Sequence, residues 1–247
     1  MNELYDRTCL LFGEERTEVI RRTRVIIFGV GGVGSWTAEC LAREGVGYIT
    51  LVDSDNVGAS NINRQLQAFP DTVGQSKVEV MASRLRRINP EAVIEAVDKR
   101  YMEETADEFD LASYDYVIDA IDTLRHKALL ILRAASSGAK LFSSMGAALK
   151  VDPEQVRVAE FWKVRGCPLG LALRKKFKRE KTWPARKFRC VYSEELLENG
   201  GGAELARPAG ENDEGKKTIN GSLAHITGLF GLTLAGLVMR DIYEKVL

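Results

Sequence analysis

Short β-branched runs and longer stretches of helical periodicity alternate along the first 150 residues of the chain. Five apolar runs predict buried strands, at residues 24–28, 48–52, 92–97, 116–118 and 140–143. Helices are predicted between them, at residues 35–43, 76–88 and 124–136. Strands that alternate with helices are typical of right-handed parallel crossovers, so we expect an α/β fold with a doubly wound, Rossmann-like and mainly parallel sheet.

The pattern changes beyond residue 147. Residues 156–161 (VRVAEF) are typical of an antiparallel strand, and a basic segment follows at 174–189. Residues from about 198 to 217 are rich in Gly, Glu and Asn, which indicates a mobile loop. We therefore predict a core over residues 1–150 and a C-terminal extension over 151–247, with an antiparallel strand and a basic, partly mobile insertion.

An apolar stretch closes the chain. Residues 221–239 contain no Lys, Arg, Asp or Glu, and 19 residues are about the length of a membrane span. Four glycines and several polar residues interrupt this stretch, so we expect a buried core helix without stable membrane insertion. The N-terminal MNELYDRTCL is unlike a signal peptide. The expected location is the cytoplasm, with peripheral or C-terminal membrane association as the alternative.

Composition narrows the class of protein only slightly. Lys plus Arg and Asp plus Glu both number 35, so the net charge favours no partner, while 45% hydrophobic residues suffice for a core. The four cysteines form no C-x-x-C pair. This argues against a zinc knuckle or a disulfide framework and favours a reducing compartment.

A glycine loop follows the first predicted strand, in the sequence FGVGGVGSW at residues 28–36. Gly29, Gly31 and Gly34 stand in a G-x-G-x-x-G frame that opens a helix, which is typical of a phosphate-binding turn. Asp53 ends the second predicted strand, where a carboxylate accepts hydrogen bonds from a ribose hydroxyl. These features suit NAD and ATP equally.

The next charged residues favour ATP. Arg64 and Lys77 follow Asp53, and a nucleotidyl-transfer enzyme needs such cations because negative charge moves onto the departing pyrophosphate. Asp122 comes just after the fourth predicted strand, where a carboxylate can hold Mg²⁺ between phosphates. A dehydrogenase needs no such set, because backbone N–H groups meet its two phosphates.

Five motifs at about residues 5–150 resemble the adenylating domain of the ubiquitin-activating superfamily: GxGGxG, D-x-D…N-x-x-R-Q, V-G-Q-x-K, N-P and D-A-I-D. The resemblance implies ATP and Mg²⁺ as cofactors, with Asp53 at the ribose, Asn61 and Arg64 at the phosphates, Lys77 at the triphosphate and Asp122 at the metal. The predicted nucleotide-binding residues are Gly29, Gly31, Gly32, Gly34, Asp53, Asp55, Asn61, Arg64, Gln65, Lys77 and Asp122.

The N-terminal YDRT is similar to the segment whose arginine enters the ATP site of the neighbouring subunit in this superfamily. The resemblance therefore implies a homodimer in which Arg7 acts in trans. The predicted catalytic residues are Arg64, Lys77, Asp122 and Arg7.

Longer phrases point to one branch of the superfamily. The phrases RTCLLFGEE, SKVEVMASRLRRINP, YVIDAIDTLRHKALLI and CVYSEE resemble the tRNA threonylcarbamoyladenosine dehydratases. That resemblance implies ATP-dependent cyclisation of the threonylcarbamoyl group next to the anticodon, through an acyl-adenylate. Since the modified base attacks its own carbonyl, no enzyme thiol is required, and we expect a structural role for Cys190.

Other functions stay open. An adenylating activator of a small sulfur-carrier or ubiquitin-like protein is the main alternative, although bacterial activators usually carry two C-x-x-C pairs. A nucleotide-binding adaptor without activity and an NAD dehydrogenase are further alternatives. A sulfur-transfer partner such as a cysteine desulfurase is an additional candidate.

The basic segment favours an RNA substrate. Residues 174–189 hold nine Lys or Arg against the single Glu180, and Phe177, Trp183 and Phe188 lie between them. Cations can meet phosphates while an aromatic ring stacks on a base of the anticodon loop. A solvated helix face is the alternative. The predicted tRNA-binding residues are Arg174, Lys175, Lys176, Lys178, Arg179 and Lys181.

Overall fold

The computed structural model describes residues 3–201 and 220–245. Within them, seven strands form one sheet: β1 (Arg24–Phe28), β2 (Tyr48–Val52), β3 (Val93–Val97), β4 (Tyr116–Asp119), β5 (Lys140–Ser144), β6 (Val156–Glu160) and β7 (Arg189–Ser193). The α-helices of the same residues are α1 (Asp6–Phe12), α2 (Glu14–Arg22), α3 (Gly34–Arg43), α4 (Lys77–Ile88), α5 (Leu124–Ser137), α6 (Pro168–Glu180) and α7 (Ala224–Lys245). Short 3₁₀ helices lie at Glu3–Tyr5, Ala59–Asn61, Pro70–Thr72, Ala106–Glu108, Leu111–Ser113, Pro153–Gln155 and Phe161–Lys163.

The strand order is β3-β2-β1-β4-β5-β7-β6. All neighbouring strands are parallel except β6, which runs antiparallel to β7. The chain extends the sheet outward from β1 in one direction and then from β4 in the other. A ligand crevice is expected where the order reverses, at the carboxyl ends of β1 and β4. The doubly wound sheet and its antiparallel C-terminal part are both confirmed.

Helices cover both faces of the sheet. The side chains of Val25 and Ile27 face α3, α4 and α7, and those of Ile26 and Phe28 face α5. Burial on both faces explains why β1 is a continuous apolar run rather than an alternating one. The strand predictions for residues 24–28 and 48–52 match β1 and β2 at both ends.

Helix α7 packs against α3 in the core. A side chain at Gly231 would place its Cβ 2.5 Å from the carbonyl oxygen of Val33, so the two helices approach closely. Thr37 of α3 donates a hydrogen bond of 3.1 Å to the Gly231 carbonyl. Among the described residues, α7 is the one helix long and apolar enough to cross a membrane, and 67% of its most apolar stretch is buried. It begins and ends later than predicted.

Several elements are absent from the sequence-based prediction. Helices α1 and α2 precede β1, α6 begins before the basic segment and includes its first seven residues, and β7 enters the sheet between β5 and β6. The predicted boundary near residue 150 lies in the loop between β5 and β6, and both sides of it supply strands to the same sheet. Most of the predicted mobile loop, from residue 202 onward, lies outside the described residues.

Candidate active site

The glycine loop shapes one wall of a cleft at the carboxyl ends of β1, β2 and β4. Gly29 has φ +88°, and a Cβ there would lie 2.7 Å from the Ala120 carbonyl oxygen. Only glycine suits both constraints. Gly34 lies behind the loop, where a Cβ would come 1.8 Å from the Gly29 oxygen. Unlike the other predicted glycines, Gly34 does not line the cleft; it permits α3 to begin directly against the turn.

The cleft has a volume of about 550 Å³. It is lined by the loops that follow the first five strands, including the 3₁₀ helix Ala59–Asn61 after β2, and by the first turns of α4, α5, α6 and α7. The predicted nucleotide residues that line it are Gly29, Gly31, Gly32, Asp53, Asp55, Asn61, Arg64, Gln65, Lys77 and Asp122.

Asp53 is held rigidly at the end of β2. Its carboxylate accepts one hydrogen bond from the Val30 N–H at 2.7 Å and another from the Asp55 N–H at 2.9 Å. Burial raises the pKa of the Asp53 carboxyl, and the Lys77 ammonium partly opposes that rise. The side chain is therefore a fixed acceptor between the glycine loop and the start of α4.

Lys77 is the first residue of α4 and only 6% exposed. Its Nζ lies 2.9 Å from the Asp55 carboxylate, and its backbone N–H donates to the Asp55 carbonyl at 3.0 Å. The partial positive charge of a helix N-terminus and a buried ammonium act here together. Such a position suits an anion such as a phosphate group.

Arg64 extends from the loop that follows the 3₁₀ helix Ala59–Asn61. Burial lowers the pKa of its guanidinium, while the Asp122 carboxylate opposes that shift. The guanidinium donates to the Ser60 carbonyl and to the Asn63 side chain, both at 2.8 Å. Asn61 accepts a bond of 3.0 Å from the Gly58 N–H, which shapes the same loop. The cation is therefore positioned before any ligand arrives.

A buried ion pair lies beneath the cleft. Asp119 and Lys127 have no exposed side-chain surface, and the Lys127 Nζ lies 2.7 Å from the Asp119 carboxylate. Ser143 donates to that carboxylate at 2.6 Å, and Lys127 also donates to the Ile121 carbonyl at 2.9 Å. These bonds anchor the turn after β4 that carries Asp122.

Sequence reasoning selected Asp122 from the D-A-I-D motif and missed the pair of Asp119 and Lys127. A carboxylate that ends a buried strand, followed eight residues later by a lysine within an apolar helix pattern, is the signal that could have identified it. Other lining residues come from loops and helix starts that carry none of the quoted nucleotide motifs. These are Arg100, Tyr101, His126, Met145 and Leu169.

Cys190 lies on β7 opposite Ser143 of β5, with no exposed surface. Burial raises the pKa of its thiol well above the ordinary value, even though Lys127 opposes the shift. A neutral and inaccessible thiol is a poor nucleophile. The expected structural role of Cys190 agrees with this environment.

Asp122 is exposed at the mouth of the cleft. The described residues hold no cluster of three or more His, Cys, Asp or Glu side chains that could enclose a metal ion. Mg²⁺ usually keeps several waters and binds through one or two carboxylates together with substrate phosphates. A single carboxylate beside a phosphate-binding loop suits that mode of binding.

Arg7 lies outside this cleft, on the exposed surface of α1. Three leucines of the same N-terminal region are also exposed, with 56% for Leu4, 86% for Leu10 and 74% for Leu11. A concentration of exposed apolar side chains is typical of an interaction surface.

Residues 174–180 of the basic segment form the C-terminal half of α6, and the rest of the segment follows the helix. Lys175, Lys178 and Arg179 are exposed on the helix, and Lys181 is exposed at its end. Lys176 pairs with Glu180 at 2.6 Å.

The aromatic residues of this segment differ from the prediction. Phe177 and Phe188 are 0% and 5% exposed, because they pack with Phe161 in the core. Neither of these two rings can therefore stack on a base. Trp183 is exposed.

Known proteins share the fold of this chain over nearly its whole length. The profile of the ThiF family matches residues 5–245. The chain belongs to the ThiF family. A tRNA threonylcarbamoyladenosine dehydratase of Bacillus subtilis is 37% identical over 249 residues, which cover 98% of this chain and 95% of the relative. This similarity places the chain, within the ThiF family, among the tRNA threonylcarbamoyladenosine dehydratases.

Solved structures agree. The Escherichia coli tRNA N6-threonylcarbamoyladenosine dehydratase TcdA in complex with ATP matches with a TM-score of 0.86 and 33% identity, covering 98% of this chain and 95% of TcdA. The complex of TcdA with AMP matches equally well. The similarity to these ThiF family members therefore includes the C-terminal part of the chain as well as the glycine loop.

Proposed function

We propose that the protein uses ATP to dehydrate threonylcarbamoyladenosine in tRNA, next to the anticodon, through an acyl-adenylate. The observation that carries this proposal is similarity to dehydratases over nearly the whole chain, including the C-terminal half. An activator of a sulfur-carrier protein is the alternative, and it would share the nucleotide cleft.

Each residue of the cleft has a distinct part in ATP binding. The glycine loop presents backbone N–H groups to phosphate, and the fixed Asp53 carboxylate accepts hydrogen bonds from the ribose. Asn61, Gln65 and Asp55 complete the pocket around them. When bound, ATP supplies the adenylyl group that converts the substrate carboxylate into a good electrophile.

Arg64 and Lys77 serve the departure of pyrophosphate. The substrate carboxylate attacks the α-phosphorus, the bond to the bridging oxygen breaks, and negative charge gathers on the leaving group. Both cations are fixed by the fold before the reaction, so they need little reorganisation as that charge develops. We assign Mg²⁺, carried by the phosphates, to Asp122.

The second step needs no nucleophile from the protein. A group of the threonylcarbamoyl side chain attacks the activated carbonyl, loses a proton, and expels AMP with the original carboxylate oxygen. The net change in the nucleoside is the loss of one water. High effective molarity within one side chain drives this closure. The buried Cys190 thiol is not required for this step.

The active unit we propose is a homodimer in which Arg7 of each subunit serves the cleft of the other. The exposed leucines of the N-terminal region support an interface there. Mixing Arg7→Ala and Lys77→Ala subunits should restore activity in heterodimers, because one of the two composite sites is then intact. No recovery in a demonstrated heterodimer would contradict action in trans.

The proposed site of action is the cytoplasm, with α7 serving as a core helix. The proposed tRNA contacts are the cations of the basic segment, which meet backbone phosphates. They are Arg174, Lys175, Lys176, Lys178, Arg179 and Lys181.

Mass spectrometry of tRNA nucleosides tests the function directly. Incubation of tRNA bearing threonylcarbamoyladenosine with protein, ATP and Mg²⁺ should convert this nucleoside to a product lighter by one water, and release AMP. Omission of ATP is the control. Unchanged nucleoside, together with pyrophosphate exchange that depends on a small protein ending in Gly-Gly, would favour the alternative.

A further inference from the structure

Two tryptophans remain exposed beside the basic helix. Trp162 is 41% exposed and Trp183 is 54% exposed, and their rings lie edge to face with centroids 6.4 Å apart. Trp162 lies on the 3₁₀ helix Phe161–Lys163 after β6, whereas Trp183 follows the C-terminal cap of α6. Two segments 21 residues apart thus bring their rings together at the surface.

Buried phenylalanine side chains support the exposed tryptophan rings. Trp162 contacts Phe161 with a centroid distance of 5.0 Å, and Phe161 packs against Phe177 and Phe188 without any exposure of its own. The three phenylalanines already fill the core at this place. The tryptophans form an outer layer that water reaches, which indicates a role in binding rather than in core packing.

The exposed charged side chains beside the rings are mostly positive, although the Glu160 carboxylate accepts a hydrogen bond of 3.1 Å from the Trp162 backbone N–H. Lys163, Arg165, Lys178 and Lys181 are exposed in the same segments. Between residues 174 and 189 the single acidic side chain, Glu180, is shared by Lys176 and Arg179. Aromatic rings among cations are the combination with which proteins bind single-stranded nucleic acid.

A protein partner fits this surface less well. Five of the nine cations of the segment are lysines, and lysine is depleted in the cores of protein interfaces. RNA binding needs cations that contact the phosphate backbone and aromatic rings that stack on bases, and this surface offers lysines for the first and tryptophans for the second.

The two exposed tryptophans lie close enough to the candidate active site for one RNA stem-loop to contact both. Leu169, in the first turn of α6, lines the nucleotide cleft, and the helix has 13 residues. At 1.5 Å per residue it spans about 20 Å. That is about six stacked nucleotides at roughly 3.4 Å each, so one stem-loop can extend from the cleft to the tryptophans.

We propose that Trp162 and Trp183 form a stacking platform for an unpaired base of the tRNA substrate, outside the nucleotide cleft, while the lysines of α6 hold the neighbouring phosphates. This inference rests on the tRNA substrate proposed above. It assigns the two tryptophans to substrate binding and leaves the ATP chemistry to the cleft.

Binding of unmodified tRNA transcript, measured as a function of salt, separates the two kinds of contact. Trp162→Ala and Trp183→Ala should each weaken binding by about five- to a hundredfold, with the slope of log affinity against log salt unchanged. Combined replacement of Lys175, Lys176 and Lys178 by Ala should reduce the slope by about two. The Trp→Phe variants keep a ring and should retain most of the affinity.

Phe69→Ala is the matched control, because Phe69 is an aromatic residue 46% exposed outside the cleft. The platform is wrong if both Trp→Ala variants bind like the wild type, or if Phe69→Ala weakens binding equally. In turnover assays the tryptophan variants should raise KM for tRNA and leave kcat unchanged.

Nucleoside mass spectrometry on the same preparations keeps the two proposals apart. Wild-type protein that binds tRNA through the tryptophans but forms no dehydrated nucleoside would contradict the proposed function alone. Dehydration together with normal binding by both Trp→Ala variants would contradict the platform alone.

Discussion

The nucleotide cleft and the C-terminal basic surface are built in opposite ways. In the cleft, Gly29, Asp53 and Asp122 each follow the end of a strand within three residues, so the site arises from local strand–turn–helix units. In the C-terminal half, β7 enters the sheet beside β5, which is distant along the chain. Trp162 and Trp183 likewise come from two separate segments that the fold places side by side. Local construction leaves a motif in the sequence, whereas packing between distant segments does not.

The two regions also differ in how they treat charge. Beneath the cleft, Asp119 and Lys127 form a fully buried pair, and within it the buried Lys77 pairs with the partly exposed Asp55. On α6 most of the cations face water. Substitutions in the first region should therefore affect folding or catalysis, and those in the second should affect substrate binding.

Lys127→Ala should have the largest effect and test the buried side of this comparison. It leaves the Asp119 carboxylate buried without its cation, and removal of one partner of such a pair costs about 3–5 kcal/mol of unfolding free energy. Denaturant unfolding at pH 7 measures the loss. Arg22→Ala, which breaks the exposed pair with Glu18, is the control and should cost at most about 1 kcal/mol.

The pH dependence of this variant has a definite sign. Burial already raises the pKa of the folded Asp119 carboxyl, and loss of Lys127 raises it further. At a pH between the pKa values of this carboxyl in the unfolded and in the folded variant, the folded state holds a proton that the unfolded state has released. The stability of the variant therefore falls as the pH rises through that interval. The deficit of Lys127→Ala relative to wild type should be larger at pH 7 than at pH 5. An equal deficit at both values would contradict an ionised Asp119 in the folded protein.

Arg64→Ala should have the next largest effect, which is on turnover, with little change in the free energy of unfolding. Loss of one preorganised donor at developing charge lowers turnover on the order of a hundredfold or more. The rate of AMP release in the presence of tRNA substrate measures this. Arg87→Ala is the matched control, since Arg87 is an exposed arginine of α4 outside the cleft. Turnover of Arg64→Ala within a few-fold of wild type would remove Arg64 from the assigned machinery.

These outcomes reflect what the sequence could reveal. β1 and β2 were predictable because each is a short, mainly β-branched run that ends at a recognisable turn, the glycine loop after β1 and the D-x-D stretch after β2. Gly29, Asp53 and Asp122 were predictable because each comes shortly after such a run, whereas Arg64 and Lys77 were selected as the cations that follow Asp53 along the chain. β7 was not, because RCVYS is a short run at the end of the basic segment and its neighbours in the sheet are far away along the chain.

The same contrast applies to single side chains. Phe177 and Trp183 are both aromatic residues that stand among cations in the sequence. In the structure Phe177 has no exposed surface, whereas Trp183 is 54% exposed. Periodicity can show that one face of α6 is apolar, but the position of Phe161 decides which rings it buries. Trp162, which precedes the basic segment, gave no signal until the fold brought it to Trp183.

Cys190→Ala should have the smallest effect on catalysis, and it tests whether a protein thiol takes part in the mechanism. The thiol is buried and its pKa is well above the ordinary value, so it is neither accessible nor ionised. The attacking group belongs to the substrate, so the variant should retain most of its dehydration activity while losing about 1 kcal/mol of stability, as core substitutions of this size do. The assay follows both acyl-adenylate formation and the dehydrated nucleoside. If the folded variant still forms the adenylate but yields no dehydrated nucleoside, the thiol takes part in a covalent step and intramolecular closure is the wrong mechanism.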